Sequence, residues 1–170
     1  DLARTNIEAF ERAGVDYVLV NAAGCGAAMK EYGRLLRHDP AYAKRAEHFA
    51  ATVQDITEFV AAQPFAEAGL GPVEEDVTIQ DACHLAHAQK IRSAPRQILR
   101  AIPGLRLREL ATPDRCCGAA GLYTMVQADM SKQVLAAKLE DLRTTGARVI
   151  ATSNPGCAMQ LENGVRRDGL

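Results

Sequence analysis

Short apolar segments alternate with helical segments along the chain, and this alternation restricts the fold more than any other feature. Each apolar segment has the length of a buried strand, and residues with helical periodicity follow it. Consecutive strands that are separated by helices pair in parallel and are covered by those helices. The sequence therefore predicts an α/β fold with a parallel sheet flanked by helices. The predicted strands are residues 16–22, 77–81, 105–110 and 148–154.

Capping residues indicate where the helices begin and end. Gly14 and Gly146 are typical of the position just past a helix end. Asp39 followed by Pro40 is typical of a helix start, and Pro95 is expected to kink or restart the helix that contains it. The predicted helices are residues 3–13, 26–37, 40–62, 85–102 and 119–145, with a last helix that begins near Cys157.

All five cysteines lie between the end of a predicted strand and the start of the next helix. In strand order they are Cys25, Cys83, the adjacent pair Cys116 and Cys117, and Cys157. The carboxyl ends of parallel strands meet at one edge of a sheet, where α/β proteins bind ligands. An odd number of thiols does not suit a disulfide framework in a chain that can form its own core. The pattern predicts a shared thiol site that binds a metal or carries out redox chemistry in a reducing compartment.

Composition and charge narrow the classes of function. The chain has 170 residues, of which 48% are hydrophobic and 24% are charged, as in a globular domain with a sizeable core. The formal net charge of −1 argues against nucleic acid as a partner. No apolar run reaches transmembrane length and no signal-peptide pattern is present. We expect a cytoplasmic chain whose membrane contact is at most peripheral, on the inner face.

An internal repeat divides the chain. Residues 7–25 align without gaps with residues 139–157 at an offset of 132, and two glycines and a cysteine of each segment coincide. We interpret the repeat as a duplicated module. The cysteine pair of the first copy would then lie upstream of Asp1, which leaves Cys25 without its co-ligands, and the missing initiator methionine fits a fragment. The predicted units are the tail of a first module (1–38), a connecting helix and loop (39–76) and a complete second module (77–170).

Four motifs around the cysteines resemble those of the cysteine-rich CCG domain family. They are NAAGCGAAMKEYG (21–33), DACHLAHAQKIRSAPRQIL (81–99), DRCCGAAGLYTM (114–125) and SNPGCAMQL (153–161). The family includes the cysteine-rich subunit of heterodisulfide reductase and the iron–sulfur subunits of glycolate oxidase and of lactate-utilisation complexes. Within the family, the motifs are similar to the C-terminal part of a glycolate oxidase iron–sulfur subunit.

This resemblance implies an electron-transfer role in an oxidoreductase complex that oxidises glycolate or another 2-hydroxy acid. A flavin-containing subunit would oxidise the acid, and this chain, which is not expected to be catalytic by itself, would relay electrons towards quinone. An N-terminal ferredoxin-like region of the same subunit would be a further partner. The implied cofactor is an iron–sulfur cluster, [4Fe-4S]. The implied metal ligands are Cys83, Cys116, Cys117 and Cys157, with Cys25 as the ligand of the first module.

Gln160 departs from the heterodisulfide reductase branch, which has a further cysteine at this position. Four thiolates remain in the second module, a number that suits a cuboidal cluster and also a tetrahedral zinc ion. Three classes of function stay open: an iron–sulfur electron-transfer module, a structural zinc-binding interaction domain, and a thiol–disulfide redox protein of the heterodisulfide reductase type. The lack of a C-x-x-C motif at a helix start counts against the last class.

Residues beside the cysteines are candidates for contacts with a cofactor. His84 could hydrogen-bond a cluster sulfur or act as a ligand, although a histidine in such a place is more often structural. Gly118 and Gly156 would let the backbone approach a cofactor and present N–H groups, and they also fit ordinary turns. The basic residues between Lys90 and Arg108 form either a solvated face or a docking surface for an acidic partner subunit or anionic lipid headgroups.

Overall fold

Two parallel sheets and the helices around them make up the structure, a computed structural model that describes residues 1–169. The first sheet has two strands and the second has three, so the predicted α/β class with parallel strands flanked by helices is confirmed. The strands are β1 (Val18–Val20), β2 (Val53–Asp55), β3 (Asp76–Ile79), β4 (Arg106–Arg108) and β5 (Val149–Ala151). The helices are α1 (Leu2–Ala13), α2 (Ala23–Lys30), α3 (Tyr32–Leu35), α4 (Ala43–Thr52), α5 (Ile56–Ala61), α6 (Ser93–Ala101), α7 (Tyr123–Val126), α8 (Ala128–Thr145) and α9 (Pro155–Asp168), with a 3₁₀ turn at Phe65–Ala68 and a π-helical turn at His84–Ala88.

Strand β3 lies at the centre of the three-stranded sheet, between β4 and β5. Val77 of β3 pairs with Leu107 on one side and with Val149 on the other, and both pairings are parallel. The last three residues of β3 are buried, whereas β4 exposes its two arginines at the edge of the sheet. Because the three strands run in the same direction, their carboxyl ends and the loops that follow lie at one edge.

Helices α8 and α9 pack closely against each other. Leu135 and Leu139 lie one turn apart on α8 and are buried. Gly164 of α9 permits the close approach, because a Cβ atom at this position would stand 2.9 Å from Leu139. Cys117 and Cys157 belong to the same buried cluster as these leucines. The hydrophobic core therefore extends up to the cysteines.

Strand β2 interrupts the region that the sequence predicts as one helix over residues 40–62. Val53 of β2 pairs with Val18 of β1 and is buried. This long-range pairing outweighs the local helical preference of the segment. Asp55 ends the strand and caps α5, because its Oδ1 accepts the backbone N–H of Thr57 at 2.9 Å.

The predicted helix starts after Asp39 and around residue 26 are also displaced. The Oδ1 of Asp39 accepts a hydrogen bond from the backbone N–H of Ala41 at 3.0 Å, as expected of a capping residue. The helix α4 nevertheless begins only at Ala43. The helix predicted over residues 26–37 is two shorter helices, α2 and α3, which meet at Glu31.

Two further predicted helices are shorter than expected. Pro95 lies in the first turn of α6, where no backbone N–H is needed, so the helix restarts there. The long helix before Gly146 begins at Ala128 instead of near residue 119. Gly118, Ala120 and Gly121 have φ angles of 87°, 39° and 59°, which are incompatible with a right-handed helix.

The two segments of the predicted repeat have the same local structure. Helix α1 ends before Gly14 with φ 60°, and α8 ends before Gly146 with φ 62°; a parallel strand and a further helix follow in each segment. The segments touch where the N–H of Ala23 donates to the C=O of Ser153 at 3.1 Å. Duplication and the domain boundaries stay predictions. Every helix within residues 1–169 is too short or too polar to span a bilayer.

Candidate metal centre

Four of the five cysteines meet at the carboxyl ends of the three-stranded sheet. The thiols of Cys117 and Cys157 are buried, with the residues 1% and 4% exposed, and those of the other two are partly buried. We call these residues the four-thiol group: Cys83, at the start of the π-helical turn after β3; Cys116 and Cys117, in the loop after β4; and Cys157, the third residue of α9 after β5.

The members of the four-thiol group lie close enough to change one another's pKa. Burial, with the charge of the Cys116 thiolate, raises the pKa of Cys83. The adjacent thiol of Cys117, together with burial, raises the pKa of Cys116. Cys116 in turn lowers the pKa of Cys117, but the thiol of Cys157 and burial outweigh it and raise this pKa to about 11. The pKa of Cys157 is lowered, because the thiol of Cys117 and the amide of Asn154 stabilise its thiolate.

Cys25 differs from the four-thiol group in its surroundings. It is the third residue of α2, as Cys157 is the third residue of α9, so the two occupy the same position in the repeat. The thiol of Cys25 is exposed.

Two N–H donors face sulfur atoms of the four-thiol group. The backbone N–H of Gly118 donates to the Sγ of Cys116 at 3.3 Å. The side-chain Nδ2 of Asn154 donates to the Sγ of Cys157 at 3.5 Å. Donors in these positions stabilise a thiolate, whether it is free or bound to a metal.

The two glycines predicted to contact a cofactor both lie beside the thiols. A Cβ atom on Gly118 would stand 2.6 Å from the backbone oxygen of Ser131, so only glycine fits there. The Oγ of Ser131 donates to the C=O of Gly118 at 2.8 Å and accepts from the Nε2 of Gln160 at 3.2 Å. Gln160 therefore supports the cysteine loop from the position where the related branch has a cysteine. A Cβ atom on Gly156 would stand 3.4 Å from the Nδ2 of Asn154.

Of the two histidines near Cys83, one faces its sulfur. The Nδ1 of His84 lies 3.7 Å from the Sγ of Cys83, and the ring is exposed. His87 is turned towards Asp114, with 3.7 Å between Nε2 and Oδ2. His84 is thus the histidine with access to the four-thiol group.

Carboxylates neutralise most of the basic run between Lys90 and Arg108. Arg96 forms a bidentate pair with the buried Asp81, at 2.9 and 3.1 Å, and it also contacts Glu109. The run is therefore a face of ion pairs. The remaining pairs are Arg92 with Asp114, Arg100 with Glu109, Arg106 with both Glu74 and Asp76, and Arg108 with Asp76.

Two residues beside the thiols are not predicted by the sequence patterns. Asn154 precedes Pro155 at the start of α9, an arrangement that signals a helix N-cap and could have pointed to it. Lys138 has no such signal, because a lysine within a helix is typical of a surface. The structure nevertheless buries Lys138 completely, and its Nζ donates to the C=O of Thr112 at 2.6 Å.

As the side chains stand, no group of three or more His, Cys, Asp or Glu residues within 1–169 could hold a single metal ion. A zinc ion needs its thiolates at about 2.3 Å from one point. Within the four-thiol group, Cys83 interacts with Cys116, Cys116 with Cys117, and Cys117 with Cys157, which also senses the charges of Cys83 and Cys116.

The family model of the cysteine-rich CCG domain matches residues 1–30 and 77–162. The chain belongs to the cysteine-rich CCG domain family. The matched CCG segments contain all five cysteines and both halves of the predicted repeat. The residues between the two segments, which include β2, lie outside the match.

Several curated proteins are similar to this CCG chain. It is 39% identical to the probable glycolate oxidase iron-sulfur subunit of Bacillus subtilis (strain 168), over 100% of the chain and 38% of that protein. It is 30% identical to the glycolate oxidase iron-sulfur subunit of Escherichia coli (strain K12), over 96% of the chain and 40% of that protein. It is also 30% identical to lactate utilization protein A of Shouchella clausii (strain KSM-K16), over 98% and 69%. The chain thus spans less than half the length of the two iron-sulfur subunits.

The four-thiol group of this CCG chain fits an iron–sulfur cluster in its chemistry. Cluster irons are held by thiolates, and their properties depend on burial and on N–H donors to sulfur. The chain provides four cysteines, two of them buried, with Gly118 and Asn154 as donors.

Proposed function

We propose that the chain is part of the iron–sulfur subunit of an oxidase complex for glycolate or a related 2-hydroxy acid. In this proposal the four-thiol group, Cys83, Cys116, Cys117 and Cys157, holds a [4Fe-4S] cluster. The meeting of these thiols at one sheet edge, with their mutually perturbed pKa values, is the observation that carries the proposal. Cys25, at the matching position of the repeat, is assigned to a separate centre of the first module.

The residues of the chain prepare the site for such a cluster. When bound, the cluster takes up and releases single electrons. The four-thiol group binds iron as thiolates, so its protons leave as iron is taken up. Cys117 and Cys157 lie in the core and keep water from their side of the site. The N–H groups of Gly118 and Asn154 stabilise negative charge on sulfur, which favours the reduced form.

The partners follow from the same proposal. A flavin-containing subunit oxidises the acid and supplies electrons, a ferredoxin-like region of the whole subunit takes part in the relay, and the electrons leave towards quinone. An apolar surface directly after the cysteine pair supports a protein contact here, because Leu122, Met125 and Val126 are 74%, 77% and 70% exposed. We assign this surface to the flavin-containing subunit, on the cytoplasmic side of the membrane.

Metal and sulfide analysis tests the proposal directly. Iron, zinc and acid-labile sulfide are measured on anaerobically reconstituted protein, together with the visible spectrum. We expect iron and sulfide in equal amounts and the broad absorption of a cluster. The substitution Cys117→Ser should abolish both, whereas Cys25→Ser, which removes the exposed thiol outside the four-thiol group, should leave the cluster of the second module in place.

Two outcomes would contradict the proposal. One zinc ion without sulfide would make the module a structural zinc-binding domain. Full iron and sulfide content in the Cys117→Ser variant would remove that thiol from the ligand set. A folded Cys117→Ser variant, verified by circular dichroism, is required for the comparison, since this residue belongs to the core.

A further inference from the structure

Lys138 is the largest side chain that the structure buries completely. Lysine is almost never fully buried unless a partner compensates its charge, because the transfer of an ammonium group out of water is strongly unfavourable. The Nζ of Lys138 donates to the C=O of Thr112 at 2.6 Å and lies 3.4 Å from the C=O of Pro113. Both carbonyls belong to the loop that leads into Cys116.

Asp141, three residues after Lys138 on α8, accepts hydrogen bonds from backbone N–H groups of the same loop. Its Oδ1 accepts the N–H of Ala111 at 3.1 Å, and its Oδ2 accepts the N–H of Thr112 at 3.0 Å. Lys138 and Asp141 lie on the same face of the helix by their spacing. Together they bind two N–H groups and two carbonyl groups within residues 111–113.

The carbonyl of Pro113 also connects this loop to Cys83. The backbone N–H of Asp81, two residues before Cys83, donates to it at 3.0 Å. The carboxylate of Asp81 is itself fixed by the bidentate pair with Arg96. One peptide oxygen thus links Lys138 with both segments that carry the first thiols of the four-thiol group.

Lys138 also brings a positive charge to the buried carbonyls of Thr112 and Pro113, in the loop that leads into the cysteine pair. Burial lowers the pKa of Lys138, and the charges of Asp141, Asp114 and the Cys117 thiolate oppose this effect, whereas Arg115 adds to it. Four thiolates bound to iron place net negative charge in a region with little water. An ammonium group nearby stabilises that charge, and stabilises it more when the centre carries an additional electron.

We propose that Lys138 is a positioning residue of the metal centre, which fixes the loop before Cys116 and Cys117 and compensates the negative charge of the thiolate-bound cofactor. This inference rests on the proposed function, because it assigns the lysine to the same centre. The positioning role of Lys138 depends only on its hydrogen bonds to the loop and does not require a bound cofactor.

Substitutions at position 138 test both parts. Lys138→Met keeps the length and apolar volume and removes the N–H donors and the charge, whereas Lys138→Arg keeps both. Lys132→Met is the matched control, because it removes an exposed lysine from the same helix. The midpoint potential is measured by spectroelectrochemical titration of the reconstituted chain. The alkylation rate of Cys117 is measured by mass spectrometry on chain that has not been reconstituted.

We expect Lys138→Met to weaken the one-electron reduction of the cluster at least tenfold, equivalent to about 59 mV towards negative potential. We expect the alkylation of Cys117 to accelerate at least tenfold, because the loop that buries it is released. Lys138→Arg should restore both values towards the wild type, and Lys132→Met should change neither. If Lys138→Met does not fold, Lys138→Gln, which retains an N–H donor and lacks the charge, takes its place in the potential measurement.

The results separate failure of this inference from failure of the proposed function. A loaded wild-type chain and a Lys138→Met variant with equal potentials would overturn the charge role, and unchanged alkylation of Cys117 would overturn the positioning role. A wild-type chain that takes up no iron and sulfide would overturn the proposed function together with the charge role. The alkylation rates would still decide the positioning role in that case.

Discussion

The side-chain oxygen of Asn154 accepts a hydrogen bond from the backbone N–H of Gly24 at 3.2 Å, although the two residues are 130 positions apart. The other end of the same amide donates to the Sγ of Cys157 at 3.5 Å. One side chain thus connects the start of α2 with a buried thiol of α9. The matching residue of the first repeat is Ala22, which has no side-chain amide. The first repeat therefore makes no equivalent connection to the second.

The substitution Asn154→Ala should destabilise the chain and change the ionisation of Cys157. Two hydrogen bonds are lost, so we expect the free energy of unfolding to fall by about 2 kcal/mol. The pKa of Cys157 should rise, because the amide that helps to lower it is gone. Urea unfolding measures the first effect. Asn163→Ala, an exposed change on the same helix, is the control, and equal stability of the two variants would contradict the role of Asn154.

Replacement of Gly118 by alanine should be more harmful than the same change at Gly121. Both glycines have positive φ angles, of 87° and 59°, so alanine at either costs about 1 kcal/mol through the backbone alone. A Cβ atom on Gly118 also meets the oxygen of Ser131 at 2.6 Å, whereas one on Gly121 meets nothing within 4 Å. We expect Gly118→Ala to cost at least about 2 kcal/mol more. Thermal unfolding of both variants measures the difference, and equal melting temperatures would show that the loop moves aside.

The contribution of Asp141 to stability should depend on pH. Burial alone raises the pKa of Asp141, but the hydrogen bonds from Thr112 and Ala111 and the charge of Lys138 outweigh it, so the pKa lies below the ordinary 3.8. A carboxylate with a lowered folded-state pKa contributes stability that is fully present above the unfolded pKa. This stability is lost as the pH falls through the folded pKa.

We therefore expect Asp141→Asn to reduce the free energy of unfolding by about 2 kcal/mol at neutral pH. The difference from the wild type should shrink only below pH 3.8. Chemical unfolding across this range measures it. Glu140→Gln, a change of the exposed neighbour, serves as the control. A difference that is constant down to strongly acidic pH would mean that the carboxylate charge is not what holds the loop.

The five thiols should react with iodoacetamide in a defined order. Cys25 is exposed and should react first, and Cys117, which is 1% exposed, should react last. With a pKa of about 11, roughly a thousandth of Cys117 is ionised at about pH 8, and the thiolate is the reactive form. Time-resolved peptide mass spectrometry under anaerobic conditions gives the order. The denatured chain, in which the five rates should converge, is the reference; early labelling of Cys117 would contradict its burial.

The α/β class and the meeting of four cysteines follow from the sequence for a common reason. Strands separated by helices must run parallel, and parallel strands bring the loops after their carboxyl ends to one edge. Cys83, the CC pair and Cys157 each follow such a strand. Position after a strand end predicts that cysteines meet where their strands share one sheet. Cys25 also follows a strand, but β1 belongs to the other sheet, and this thiol is exposed.

Features that depend on distant packing are not predictable in this way. Val53 lies in a segment of helical composition and becomes part of a strand only because β1 offers a pairing edge. The non-helical loop that contains the cysteine pair depends on the close approach of Gly118 to the backbone oxygen of Ser131. The burial of Lys138 depends on two carbonyl groups of a loop whose position the sequence does not reveal.

The first N–H groups of α2 find their acceptors on the opposite repeat, since Ala23 donates to Ser153 and Gly24 donates to Asn154. During synthesis these acceptors emerge after α2 by 130 residues, which takes about 6 to 26 seconds on the ribosome. Until then, water must solvate the start of α2, and the helix lacks the contacts that anchor it. The start of α2 is thus completed only after the second repeat has been synthesised.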